Sequence, residues 1–193
     1  MSYAQDDSER KSKQTEERID EQKEEFQQTI SQEHEILPRL FLGSMMARKR
    51  YSEYNLIINA DWPYNLVEEG EIKFDYLKNR RNNRENRIPI LKVGCNDVFD
   101  QDLFFAIPLV VRQINSYLQR GEKVLVHCRM GISRSVSLLI AYLIKYHQLS
   151  TQQALKLIRT QRSIANPNPG FLRQLKWYEH LMRKNELFSQ MFM

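Results

Sequence analysis

The sequence predicts one α/β domain, and three observations support that prediction. Short apolar or β-branched runs of strand length alternate with helix-length amphipathic or apolar stretches over residues 35–185. The 193 residues are 41% hydrophobic and 27% charged, as expected for a single globular domain with a short addition. No internal repeat breaks the alternation. We therefore expect a central, mostly parallel or mixed sheet of about five strands with helices on both faces.

Residues 1–34 form a charged extension ahead of this domain. Residues 1–35 hold 11 acidic and 5 basic side chains and six hydrophobic residues, with no Gly or Pro, so they cannot build a core. Their composition favours helix, and Ile19, Phe26 and Ile30 can share one stripe. The extension is either a solvated helix or disordered tail, or a helix for docking or self-association. Residues 186–193 are read as a C-terminal tail.

The strands are predicted from short apolar runs. EILPRLFLGS (35–44) predicts a short strand that leads into a helix near residues 44–51. YNLIINA (54–60) and KVLVHC (123–128) are typical of buried strands. IKFDYL (72–77) and RIPILKV (87–93) predict two more strands, which flank the basic segment KNRRNNREN. This segment and the residue after it form a basic run that is either a solvated loop or a docking site for an acidic partner surface. The basic residues are Lys78, Arg80, Arg81, Arg84 and Arg87.

Four helices follow from apolar periodicity and capping residues. The third of these helices has Ser150 or Thr151 as its N-cap, and the fourth opens at Pro169, the second proline of NPNPG. The predicted bounds are 102–120, ending before Gly121, then 133–147, 151–162 and 169–184.

The turn between the strand KVLVHC and the next helix has the features of an anion cradle. Cys128 ends the strand, and Arg134 opens the helix after five intervening residues. Successive backbone N–H groups and the positive helix end can together bind a dianion, and Arg134 adds a bidentate fork. The same positive field favours the thiolate form of Cys128, which makes it a nucleophile. The predicted phosphate-binding residues are Arg129, Met130, Gly131, Ile132, Ser133 and Arg134.

The sequence His127-Cys128-x5-Arg134-Ser135 resembles the signature of the cysteine-based protein phosphatases. The segment GISRS is similar to that of the dual-specificity branch. About 150 residues show the resemblance, and residues 1–34 lie outside it. The further landmarks are EILPRLFLGS (35–44), NLIINA (55–60), AYLI (141–144) and NPNPGFLRQL (166–175).

The resemblance implies a single cysteine-phosphatase domain that hydrolyses phosphotyrosine and phosphoserine or phosphothreonine. It implies that Cys128 forms a phosphocysteine, that Arg134 holds the phosphate and that Ser135 hydrogen-bonds the leaving thiolate. A carboxylic acid is expected to protonate the leaving group. Asp97 fits the family position, Asp100 is the alternative, and Asp102 is better explained as a helix N-cap. No cofactor and no metal are expected, since the four histidines form no ligand cluster.

Two further side chains have competing interpretations. His127 either orders the loop from behind or is a strand-end histidine satisfied by backbone groups. Cys95 lies two residues before Asp97, and it is either a small buried filler or a redox partner that forms a disulfide with Cys128.

Relatives with the same loop supply the alternative functions. The chain resembles the serine/threonine/tyrosine-interacting pseudophosphatases, which bind phosphoproteins, but those proteins replace the nucleophile that is present here as Cys128. RNA 5′-triphosphatases are a more distant alternative, because Ser135-Val136 stands where those enzymes have Thr-Gly. Lipid and glucan phosphatases are another alternative, although only Arg129 adds basic charge to the loop itself.

The expected partners are phosphoproteins, among them a protein kinase, with no nucleic acid and no membrane span; the oligomeric state is left open. No run approaches the ~18 apolar residues that a spanning helix requires, and no apolar signal core follows Met1. Ser2 stands where myristoylation needs glycine, and no prenylatable Cys ends the chain. We therefore expect a cytoplasmic or nuclear protein.

Overall fold

The computed structural model describes residues 3–61, 67–78 and 87–191 and contains one mixed sheet of six strands. The strand order is β1-β2-β6-β3-β5-β4. The inner pairs β2–β6, β6–β3 and β3–β5 are parallel, and the outer pairs β1–β2 and β5–β4 are antiparallel. This confirms the predicted α/β class. The strands are β1 (His34–Leu37), β2 (Leu40–Gly43), β3 (Leu56–Asn59), β4 (Ile72–Lys78), β5 (Arg87–Val93) and β6 (Val124–His127).

The extra strand arises in the segment EILPRLFLGS, which was predicted as one strand. The chain reverses between Leu37 and Leu40, so that β1 and β2 form a hairpin. Arg39 takes a left-handed backbone conformation in the turn (φ 69°) and donates its N–H to the Glu35 carboxylate at 2.6 Å. A turn built on a left-handed arginine has no clear sequence signal, because that conformation is usually given to Gly or Asn.

The helices match the predicted number in the domain, with shifted ends. Helix α2 begins at Ile107 rather than near Asp102, because Asp102 Oδ1 accepts the Phe104 N–H (2.8 Å) in a separate turn. Ser150 caps α4 in a reciprocal capping box with Gln153. The helices are α1 (Tyr3–Ser31), a 3₁₀ helix (Met45–Glu53), α2 (Ile107–Gln119), α3 (Arg134–His147), α4 (Thr151–Gln161) and α5 (Pro169–Met191).

Both faces of the sheet are covered. Leu56, Ile58, Val124 and Val126 point into the larger core, where α3 packs with 11 of its 14 residues buried. Their neighbours Ile57 and Leu125 point to the opposite face, against Tyr51 of the 3₁₀ helix. This alternation is the period of two that strands impose. It buries β6 completely and fixes the position of the loop that follows His127.

Candidate active site

The loop from Cys128 to Arg134 lies at the carboxyl ends of the central parallel strands, where ligands bind in open α/β sheets. Gly131 has a φ of +67°, and a Cβ there would lie 2.5 Å from the Gly43 carbonyl oxygen. Only glycine fits such a close approach. Met45 N–H donates to the Arg129 carbonyl at 3.1 Å, so the end of β2 and the following turn hold the loop from one side.

The Cys128 sulfur receives two hydrogen-bond donors. Gly131 N–H lies 3.3 Å and the Ser135 hydroxyl 3.2 Å from Cys128 Sγ. The thiol is 2% exposed. Both donors are thus placed on the sulfur of the predicted nucleophile.

Arg134 and Asp97 come together beside the loop. Arg134 is buried, its Nη1 donates to the Cys95 carbonyl (3.4 Å), and its Nε lies 3.9 Å from Asp97 Oδ2. Asp97 Oδ1 accepts hydrogen bonds from Ser133 Oγ (2.7 Å) and Asn168 Nδ2 (2.8 Å). Asp97 is therefore the acidic residue of its loop that the fold brings to the phosphate-binding turn.

The two other acidic residues of that loop face elsewhere. Asp102 caps the turn at Phe104, and Asp100 is exposed on a groove that it shares with Glu69 and Gly70. Asp102 is thus a capping residue, as predicted, and the role of Asp97 as the acid stays a prediction.

His127 is fully buried behind the loop. Its Nδ1 donates to the Cys128 carbonyl at 3.2 Å, so Nε2 is left to accept the Tyr51 hydroxyl. Burial lowers the pKa of His127 to about 3 and raises the pKa of Tyr51. The ring is thus a neutral hydrogen-bonding group that ties the loop to the 3₁₀ helix.

Arg162, which the sequence analysis did not single out, binds the back of the loop. The fully buried guanidinium donates from Nε to the Gly131 carbonyl and from Nη2 to the Met130 carbonyl, both at 2.8 Å. Its Nη1 donates to the carbonyls of Thr29 (2.9 Å) and Gln32 (3.0 Å) at the end of α1. Burial lowers the pKa of Arg162 to about 10.

Asn168 is the second residue that the sequence analysis did not single out. It binds the Asp97 carboxylate, and its backbone N–H donates to Ser133 Oγ (3.0 Å). The motif NPNPG, read as a helix start and as part of a family landmark but not as a contact of the acid, was the available signal. Arg162 carried no comparable signal, because an arginine at the end of an amphipathic helix usually faces solvent.

Cys95 and Cys128 are both free and buried. Burial raises the pKa of Cys95 to about 12, and its thiol faces the Asn96 carbonyl (3.6 Å). A thiol of this kind is a poor attacking group, which favours the interpretation of Cys95 as a buried filler.

The remaining sequence predictions concern the surface. Of the basic segment, residues 79–86 lie outside the described residues, while Lys78 is the last residue of β4 and Arg87 the first residue of β5. Within the described residues no helix is long and apolar enough to cross a membrane. The same residues hold no group of three or more His, Cys, Asp or Glu side chains arranged for a metal ion.

Comparison with known proteins gives one consistent family. Residues 63–181 match the family model "Dual specificity phosphatase, catalytic domain". The chain is 30% identical over 154 residues to 123R of Invertebrate iridescent virus 6, a tyrosine phosphatase by name, covering 79% of this chain and 96% of that one. It is 46% identical over 82 residues to human protein phosphatase Slingshot homolog 3, which covers 41% of this chain and 12% of that protein.

A solved structure has the same fold. The Yvh1 phosphatase domain from Chaetomium thermophilum superimposes with a TM-score of 0.62 at 30% identity, covering 78% of this chain and 96% of that one.

Proposed function

Because the chain belongs to the dual-specificity phosphatase family of protein-tyrosine/serine/threonine phosphatases, we propose that it dephosphorylates both phosphotyrosine and phosphoserine or phosphothreonine through a phosphocysteine on Cys128. One observation carries the proposal. The Asp97 carboxylate is hydrogen-bonded to Ser133, a residue of the same loop whose Gly131 N–H points at the Cys128 sulfur. A nucleophile and a proton donor thus border one anion site.

In the first step the Cys128 thiolate attacks phosphorus in line with the leaving oxygen. The S–P bond forms as the P–O bond breaks, and the Asp97 carboxylic acid gives its proton to the departing phenolate or alkoxide. Loop N–H groups and the Arg134 guanidinium bind the three equatorial oxygens, where negative charge is concentrated. Arg134 keeps its charge throughout, since an arginine does not give up its proton in proteins.

In the second step water attacks the phosphocysteine. The Asp97 carboxylate takes a proton from that water, the P–S bond breaks and inorganic phosphate is released. The Ser135 hydroxyl, 3.2 Å from Cys128 Sγ, donates to the thiolate as it leaves. The cycle returns Cys128 and Asp97 to their starting protonation states.

The test is turnover of a small aryl phosphate and of phosphotyrosine and phosphothreonine peptides in the presence of a chelator. We expect release of phosphate from all three substrates and a phosphate adduct on Cys128 after acid quenching. Cys128→Ser should abolish turnover while it retains phosphopeptide binding, and Arg134→Lys should be nearly as inactive, because an ammonium cannot make the bidentate contact.

Two results would contradict the proposal. If the wild-type protein binds phosphopeptides without turnover, its function is that of a pseudophosphatase. If it releases phosphate from 5′-triphosphorylated RNA or phosphoinositides and not from phosphopeptides, the substrate class is wrong.

A further inference from the structure

A groove runs along the first turns of α5, next to the loop that carries Asp97. It is lined by Pro169, Leu172, Arg173, Lys176 and Trp177 and has a volume of about 570 Å³. Pro169 directly follows Asn168, whose side chain binds the Asp97 carboxylate at 2.8 Å. The groove therefore opens next to the residue proposed to protonate the leaving group.

The loop that carries Asp97 packs closely on the first turn of α5. A Cβ on Gly170 would lie 1.8 Å from the Phe99 carbonyl oxygen, so only glycine allows this contact. The Arg173 guanidinium lies 4.8 Å from the centre of the Phe99 ring. Phe99 and Trp177 are nevertheless 55% and 58% exposed. Two large aromatic side chains thus stay in solvent on one surface beside the active site.

The charge of this surface is positive. Arg173 and Lys176 line the groove, and no acidic side chain does so among the residues described there. Glu179, the nearest acidic residue on α5, is already bound, because one oxygen accepts from Thr151 N–H and Oγ1 (2.8 and 2.9 Å) and the other pairs with Arg183 at 2.6 Å. The groove therefore offers the Trp177 ring and two cations to a ligand, and the exposed Phe99 ring lies against one of those cations, Arg173.

We propose that this groove binds the substrate segment that flanks the phosphorylated residue, and that it selects apolar or aromatic side chains next to acidic ones. The inference rests on the proposed phosphatase function and adds a specificity site to it. Pro169 and Trp177 are eight residues apart on α5, a distance of about 12 Å. An extended peptide spans that distance with about four residues, so selection acts on about four residues next to the phosphorylated one.

The test compares two phosphotyrosine peptides. One peptide carries Glu together with Phe or Leu at the four positions on each side of the phosphotyrosine. The other peptide carries Lys and Ser at the same positions. For each protein the readout is kcat/KM for the peptide divided by kcat/KM for a small aryl phosphate, which does not reach the groove. We expect this ratio for the wild-type protein to be about tenfold higher with the acidic-apolar peptide than with the other peptide.

Lys176→Glu should reduce or reverse this preference, and Trp177→Ala should weaken it. Lys145→Glu is the matched control, because it makes the same charge change at the exposed far end of α3, about 17 Å along the helix from Arg134. Equal effects of Lys176→Glu and Lys145→Glu would show that net charge, not the groove, selects the peptide. Unchanged preference in Lys176→Glu and Trp177→Ala would also overturn the inference.

A binding measurement separates this inference from the proposed function. Affinities of both peptides for Cys128→Ser, with and without Trp177→Ala, report on the groove even if the wild-type protein turns over no substrate. Absence of aryl phosphate turnover by the wild-type protein contradicts the proposed function. Equal affinity of Cys128→Ser for the two peptides contradicts peptide selection by the groove.

Discussion

At the residue scale, the two carboxylate oxygens of Asp97 have different partners. Asp97 Oδ1 is held by Ser133 and Asn168, while Oδ2 lies on the Arg134 side. Ser133 and Asn168 are far apart in the chain, and they meet only because the phosphate loop and the NPNPG turn pack together. The orientation of the Asp97 carboxylate is thus a product of tertiary structure, whereas the sequence alone predicts Asp97 as the acid and leaves Asp100 as the alternative.

We predict that Asp97→Asn lowers kcat/KM, which reports the first step, by ~10²–10⁴-fold for alkoxide or phenolate leaving groups, because these need a proton, and by little for a very acidic phenol. The basic limb of the pH–rate profile should flatten. Steady-state kinetics on a series of aryl phosphates measures both effects. Asp100→Asn is the control, since Asp100 is exposed and turned away from the loop; a larger loss there than at Asp97 would contradict the assignment.

The neutral His127 predicts a pH dependence of stability. Its pKa falls from 6.5 to about 3 on folding because of burial, so between these pH values the unfolded chain binds a proton that the native protein does not. The free energy of unfolding therefore decreases as pH falls from about 6.5 towards 3, by at most about 1.4 kcal/mol per pH unit from this group.

Urea unfolding across this range, compared with His127→Asn, isolates the contribution. Asparagine keeps a donor for the Cys128 carbonyl but does not titrate. A wild-type slope on pH no steeper than that of the variant would show that His127 is not the neutral group assigned here.

The buried Cys95 predicts the course of oxidation. With its pKa raised to about 12 by burial, Cys95 is almost entirely protonated at neutral pH and attacks a Cys128 sulfenic acid slowly. We expect peroxide to carry Cys128 to the sulfinic acid without a Cys95–Cys128 disulfide, as measured by peptide mass spectrometry. Cys95→Ser should leave the products unchanged, and a disulfide in wild type would restore the redox interpretation.

At the element scale, the end of α1 belongs to the catalytic domain. Residues 13–28 are exposed almost throughout, yet Ile30 is buried and its carbonyl accepts the Ser44 hydroxyl at 2.7 Å. The Thr29 and Gln32 carbonyls bind Arg162, whose charge also complements the negative end of the helix dipole. The extension predicted for residues 1–34 therefore has an exposed helical part and an end that packs beneath the phosphate loop.

This contact predicts different effects for two changes. Arg162→Lys should lower the free energy of unfolding by about 2–4 kcal/mol and weaken inhibition by vanadate, because one ammonium cannot satisfy the buried carbonyls of Met130, Gly131, Thr29 and Gln32 together. Deletion of residues 1–18 keeps Thr29, Ile30 and Gln32 and should leave both quantities near wild type. Urea unfolding and vanadate inhibition constants provide the measurements, and equal effects of the two changes would contradict this role of Arg162.

At the scale of the whole molecule, the sequence predicts what is local and misses what is assembled from distant segments. The strand, loop and helix around Cys128 were readable because anion binding depends on consecutive residues. The β1–β2 hairpin was missed, since its turn rests on a left-handed arginine. Arg162 was missed because its partners lie about 30 and 130 residues away, and a burial that depends on such contacts leaves no periodic pattern.

The sheet register also separates the basic β4–β5 hairpin from the chemistry. Ile90 of β5 and Leu125 of β6 both pair with Ile57, so Arg87 lies three residues to one side of this level and Cys128 three residues to the other. The two residues are thus about 20 Å apart along the strands, beyond the ~8–10 Å over which salt leaves exposed charges effective. The charge of Arg87 can therefore change during evolution while the chemical step stays the same.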